Sequence, residues 1–218
     1  IEGVEEMIAS YPVEFMAFFG DVAAMTTPTG YFGTYYSSYM PLILGIFAVS
    51  AAAGLLAGDE ERGTLDLVMA YPVGRGSLFW GRVFGFAVAL GLIVLIGYLG
   101  WLAALPMSGM GVSALQLLRP FIPLYALMLL FGGLSLLLGL LLPSARMASM
   151  TAGGLLVANF LLLGLSNLND SLLSVMKLTP FHYYQMGDAM NGLNWGFALG
   201  LTAVALALIA AARLLFGR

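Results

Sequence analysis

The chain has 218 residues, 61% of them hydrophobic and 9% charged, with a mean hydropathy of +0.98 and a formal net charge of −3. That composition cannot cover a water-soluble domain with polar surface, so its solvent is a bilayer. The acidic balance offers no basic field for nucleic acid, and the absence of cysteine excludes disulfides, thiolate metal sites and a cysteine nucleophile.

Residues 1–35 mix apolar side chains (Val4, Ile8, Phe15, Phe18, Phe19) with five acids and a proline at Pro12. This pattern predicts an external loop with short helices lying at the membrane interface. Five segments then reach the roughly 20 apolar residues that a helix needs to cross hydrocarbon. They are expected at 36–57, 79–105, 120–142, 147–168 and 194–216. The runs are continuous and rich in Leu, Ala and Gly, without the alternation of a membrane barrel, so the fold class is an all-α polytopic membrane helix bundle.

Between the first two segments, residues 58–78 form a polar hinge. Asp59, Glu60 and Glu61 follow an apolar helix predicted to end near Ala57, where the helix dipole and the usual cytosolic bias both favour cations. A compensating group outside the chain is the expectation. Gly63 can break the descending helix, Thr64 can cap a new one with Asp66 in its first turn, and Pro72 ends it. Leu65, Val68 and Met69 give that short helix a narrow apolar stripe.

Orientation follows from the cations. Arg62, Arg75, Arg82, Arg146, Arg213 and Arg218 fall on one side of the predicted spans, while Arg119 and Lys177 fall on the other with most of the boundary aromatics. The arginine-rich side is therefore expected in the cytosol, with residues 169–193 forming the external loop before the last span. An external N-terminus without a signal segment leads to the further expectation of one span preceding Ile1, giving five spans in this chain and six in the complete protomer.

The predicted spans hold no mid-membrane Asp, Glu, His or Lys, the groups that ion-coupled carriers use. Asn159, Ser135 and Thr151 are the neutral polar candidates for a substrate path, with hydrogen bonding between helices as their other reading. Pairs of small residues, Gly81 with Gly85 and Ser135 with Gly139, have the spacing of close helix packing. Neither Gly-x-Ser-x-Gly nor His-Glu-x-x-His occurs, nor does a phosphate-binding Gly-x-x-x-x-Gly-Lys-Ser/Thr loop.

The run Asp59-Glu60-Glu61-Arg62-Gly63-Thr64-Leu65-Asp66-Leu67, with Ala70-Tyr71-Pro72-Val73 and Arg75 after it, resembles the first cytosolic loop of ABC-2 type transporter permeases. Thr179-Pro180-Phe181-His182-Tyr183-Tyr184 is similar to an external Ser/Thr-Pro-Phe-x-Tyr-Tyr element of that family, and Thr27-Pro28-Thr29-Gly30-Tyr31 to its first external loop. The resemblance implies a multi-pass permease subunit of the cytoplasmic (inner) membrane, part of an exporter. It implies a second permease protomer, as homodimer or heterodimer, surrounding lipid, and separate cytosolic ATP-binding cassette subunits that hold ATP and Mg, with no cofactor in this chain. It further implies that Gly63 to Tyr71 is a coupling helix resting on the ATPase, with Asp59, Glu60, Glu61 and Arg62 as its ionic collar. The competing expectations are a membrane scaffold whose acidic loop recruits a cytosolic partner, and an ion-coupled carrier.

Overall fold

The computed structural model describes residues 27–61, 63, 74–109 and 111–217. Among them there is no strand, and five helices are long and apolar enough to cross a membrane. We label them α1 (Pro28–Gly54), α2 (Arg75–Ser108), α3 (Ala114–Leu141), α4 (Ala145–Ser166) and α5 (Trp195–Phe216). The all-α polytopic bundle expected from composition is what the chain forms.

Local chemistry sets most of the helix starts. Thr27 accepts from the Gly30 amide at 3.1 Å with Pro28 just inside α1, and Ser113 and Gln116 form a reciprocal capping box on α3. Ser144 and Asn194 accept from Met147 and Phe197 to start α4 and α5. Only α2 begins without a side-chain cap, at Gly74. The first span starts at Pro28 rather than Tyr36, because the Thr-Pro cap draws the end of the expected external loop into the helix. A π-helical turn at Gly33–Ser37 interrupts it, and Ser38 Oγ donates to the Gly33 carbonyl at 2.9 Å.

The centre of the bundle is α3. Of its apolar stretch 61% is buried inside the protomer, against 22% for α2, α4 and α5, so the others wrap around it and leave outer faces for hydrocarbon. Small residues on three sides of α3 make this possible. A Cβ added at Gly132 would lie 2.5 Å from the Phe86 ring of α2, one at Gly133 3.2 Å from the Ala205 carbonyl of α5, and one at Gly139 3.1 Å from the Ala53 carbonyl of α1. Ser135 Oγ donates to the Val49 carbonyl at 2.7 Å, so Ser135 and Gly139 form an intrachain seam with α1. Among the described residues, a Cβ added at Gly81 or Gly85 would meet nothing within 4 Å.

Candidate coupling site

The arginine-rich end is built around a break in α1. Regular helix stops at Gly54, Leu55 and Leu56 form a turn, and helix resumes over Ala57–Glu61 before Gly63 takes a left-handed φ of +65°. The acids at Asp59, Glu60 and Glu61 thus belong to a short helix of their own rather than following one that ends near Ala57. At the turn the Leu55 amide bonds back to Ala52, and the Leu55 carbonyl accepts from Arg82 Nη1. Arg82 is half-buried on the face of α2 that also carries the buried Phe79, Val83 and Phe86, which directs its guanidinium across to α1.

Glu61 crosses in another direction. Its carboxylate accepts from the backbone amide of Ala145, the first residue of α4. A helix N-terminus carries unsatisfied amides and partial positive charge, and the first turn of α4 contains no acid of its own. Glu61 supplies that acid from across the bundle. This corrects the expectation that a group outside the chain must compensate the acids: for Glu61 the compensation is internal. Arg213 completes the end of the bundle. Its guanidinium carbon lies 5.8 Å from the Phe79 ring centre, and a Cβ at Gly76 would come within 3.1 Å of the guanidinium.

Contacts of described residues therefore flank the tract between Glu61 and Gly74 on both sides. Glu61 holds α4, Arg82 holds the end of α1, and Arg213 of α5 packs over the first turns of α2. The backbone places Asp59 and Glu60 in the short helix. Arg62, Thr64, Leu65, Asp66, Val68, Met69 and Tyr71 lie outside the described residues.

At the opposite end, the two further elements singled out in the sequence come together. Phe181 is buried between Phe131 and Phe160, at ring-centre distances of 6.0 and 6.4 Å. Thr179 Oγ1 donates to the Met176 carbonyl at 2.8 Å, Pro180 opens a single 3-10 turn, and Tyr183 Oη donates to the Lys177 carbonyl at 3.0 Å. Tyr184 is buried and its Oη donates to the Ser37 carbonyl in the π-helical turn, at 3.2 Å; burial pushes its phenol well above the usual range. The next turn, Met186–Met190, lies against the start of α1. A Cβ at Gly187 would fall 2.5 Å from the Thr29 carbonyl oxygen and 2.8 Å from the Gly33 Cα. Phe32, Tyr36, Trp101 and Phe121 add a ring cluster joining α1, α2 and α3, with centres 5.0 to 5.7 Å apart.

The three polar candidates for a substrate path are not brought together. Ser135 is sealed in the seam between α3 and α1, and Thr151 is on the exposed face of α4. Asn159 Nδ2 donates to the Leu155 carbonyl of its own helix at 2.7 Å, while its Oδ1 is buried without a hydrogen-bond partner among the described residues.

Comparison with known proteins places this architecture. A family model described as "ABC-2 family transporter protein" matches residues 7–218, nearly the whole chain. The chain belongs to the ABC-2 transporter family. Among curated relatives, it is 38% identical over 103 residues to the probable ABC transporter permease protein NosY of Pseudomonas aeruginosa, covering 46% of this chain and 32% of that protein. It is 42% identical over 59 residues to the NosY protein of Stutzerimonas stutzeri, covering 27% of this chain and 20% of that one. The chain thus spans a third or less of the length of these relatives. As an ABC-2 family member with five apolar spans, it is a multi-pass membrane protein.

Proposed function

We propose that this ABC-2 family chain is the membrane subunit of an exporter in the cytoplasmic membrane, powered by ATP that a separate cytosolic ATP-binding cassette subunit binds with Mg and hydrolyses. The arginine-rich end faces the cytosol, in line with the cation bias. The segment Gly63 to Tyr71 rests on the ATPase, and a second permease protomer completes the pathway. Apolar spans with few polar side chains suit a hydrophobic or amphipathic cargo.

The observation that supports this reading most directly is the Glu61 carboxylate on the N-terminus of α4. A loop fixed only to the two helices it connects could move without moving the bundle. Through Glu61 a push on the loop also reaches α4, and through Arg82 it reaches the break in α1. Two-state rocking of packed helices can then follow from a displacement at one end.

The chain contains no cysteine, so a single-cysteine variant such as Met69→Cys can be cross-linked cleanly to the co-expressed ATPase. The expected result is a cross-linked product with Met69→Cys and none with a cysteine at Leu178 on the other end. Reversal of Glu60 and Glu61 to Lys should leave the ATPase bound but uncouple hydrolysis from transport. Unchanged transport in that variant would overturn the coupling role, and flux that survives loss of the ATPase but collapses with an ion gradient would identify a carrier instead.

A further inference from the structure

A second site lies at the end of the bundle opposite the coupling loop. A cavity of about 550 Å³ is lined by Leu115, Leu118, Arg119 and Ile122 of α3, by Asn191 and Gly192, and by Leu193 and Trp195 at the start of α5. Arg119 is half-buried there. Its Nη1 donates to the Met190 carbonyl at 3.0 Å, and it has no carboxylate partner among the described residues. Asp188 sits on the neighbouring turn but does not line the cavity. A guanidinium carries five donors, so among the described residues one carbonyl leaves most of its hydrogen-bonding capacity unused and its charge without an opposite one. A half-buried guanidinium with that much spare capacity, beside an open cavity, favours an anionic partner.

The surroundings define the missing partner. Leu115 and Trp195, both more than 60% exposed, with Leu118 and Ile122, form an apolar wall at the boundary of two spans. Beside the guanidinium, Asn191 Oδ1 is occupied by the Thr29 hydroxyl, leaving the Asn191 amide nitrogen as a further donor. A planar cationic fork and an amide donor at one side, with an open apolar groove at the other, match a phosphate joined to an apolar chain. The volume suits a headgroup and the first part of a chain. We infer that this cavity binds the phosphate headgroup of an anionic lipid, held by Arg119 and Asn191 with its chain along Leu115, Leu118, Ile122 and Trp195. The site is independent of the coupling loop.

Trp195 is a built-in reporter. In the full chain reconstituted in vesicles, with Trp80 and Trp101 replaced by Phe, brominated phosphatidylglycerol should quench Trp195 with about tenfold preference over brominated phosphatidylcholine, the size of one charge-assisted contact. Arg119→Gln should abolish that preference, while Arg119→Lys, which keeps the charge and a donor, should retain part of it and so report a folded protein. Millimolar inorganic phosphate should not displace the lipid. Equal quenching by the two lipids, or a preference that survives in Arg119→Gln, would overturn the inference; displacement by phosphate alone would make the site one for free phosphate and overturn its assignment to lipid.

Discussion

The two ends of the bundle are held by different physics. At the aromatic end, Phe181, Tyr184 and Gly187 lock the loop before α5 onto α1 through buried rings, a buried hydroxyl and direct backbone contact. At the arginine-rich end, charged side chains reach backbone groups, Glu61 on Ala145 and Arg82 on Leu55, beside a smaller ring contact in which the buried Phe79 packs on Phe216 and under Arg213. Close packing is all-or-none and resists displacement. Contacts made by long charged side chains at a surface are weaker and re-form after movement. In the proposed exporter, one end would serve as a fixed clamp and the other as the place where an external force enters.

Perturbing the clamp should have the largest effect on stability. Phe181→Ala empties a site enclosed by Phe131 and Phe160 and should cost about 3 kcal/mol or more, read as a fall in melting temperature in detergent. If the drop is no greater than for an exposed residue such as Leu178, the clamp does not carry the load assigned to it. Gly187→Ala should follow at about 2 kcal/mol, because its new Cβ meets the backbone of Thr29 and Gly33, which cannot swing aside as a side chain could. In both variants, the protein that does fold should keep its ratio of transport to ATP hydrolysis.

The coupling end should show the reverse. Glu61→Ala removes an acid from the N-terminus of α4 and should lower stability by only about 0.5 kcal/mol, since the carboxylate is exposed. Its transport per ATP should nevertheless fall several-fold. Glu61→Gln, whose amide oxygen can still accept from Ala145, should recover much of the loss, and identical behaviour of the Ala and Gln variants would show that the contact is not what matters.

Tyr184→Phe should have a modest effect confined to stability, about 1 kcal/mol at neutral pH. Burial raises the phenol pKa, so folding favours the protonated form. The contribution is fully present below about pH 10, the ordinary tyrosine value, and is lost as pH rises beyond it. Melting curves between neutral and strongly alkaline pH should diverge less in Tyr184→Phe than in the unmodified chain. A parallel alkaline decline in both would place the titrating group elsewhere.

Individual residues show where sequence reasoning stops. Ser135 and Gly139 were legible as a helix-packing pair because their spacing is local, yet the identical spacing of Gly81 and Gly85 leads to no such contact. Spacing shows that a backbone can be approached, and only the arrangement of neighbours shows whether it is. Glu61 was legible as an acid at the wrong end of a helix. Its partner was not, because that partner is a backbone amide 84 residues away and carries no sequence signature beyond an acid-free first turn. Arg119 looked like one of two stray external cations; the groove around it exists only when α3 and α5 are side by side.

The sequence by itself determined the solvent, the all-α class and the five spans, because hydropathy and helix length act locally and a bilayer tolerates few alternatives. It also singled out the polar tract and the two external elements as distinct from the apolar background. The tertiary structure decided that α3 is the axis, that the Thr27 and Thr179 elements meet at one end of the bundle, and that Glu61 reaches α4. These are contacts between residues remote in the chain, set by which small side chains let helices approach and which backbone groups are left in need of a partner.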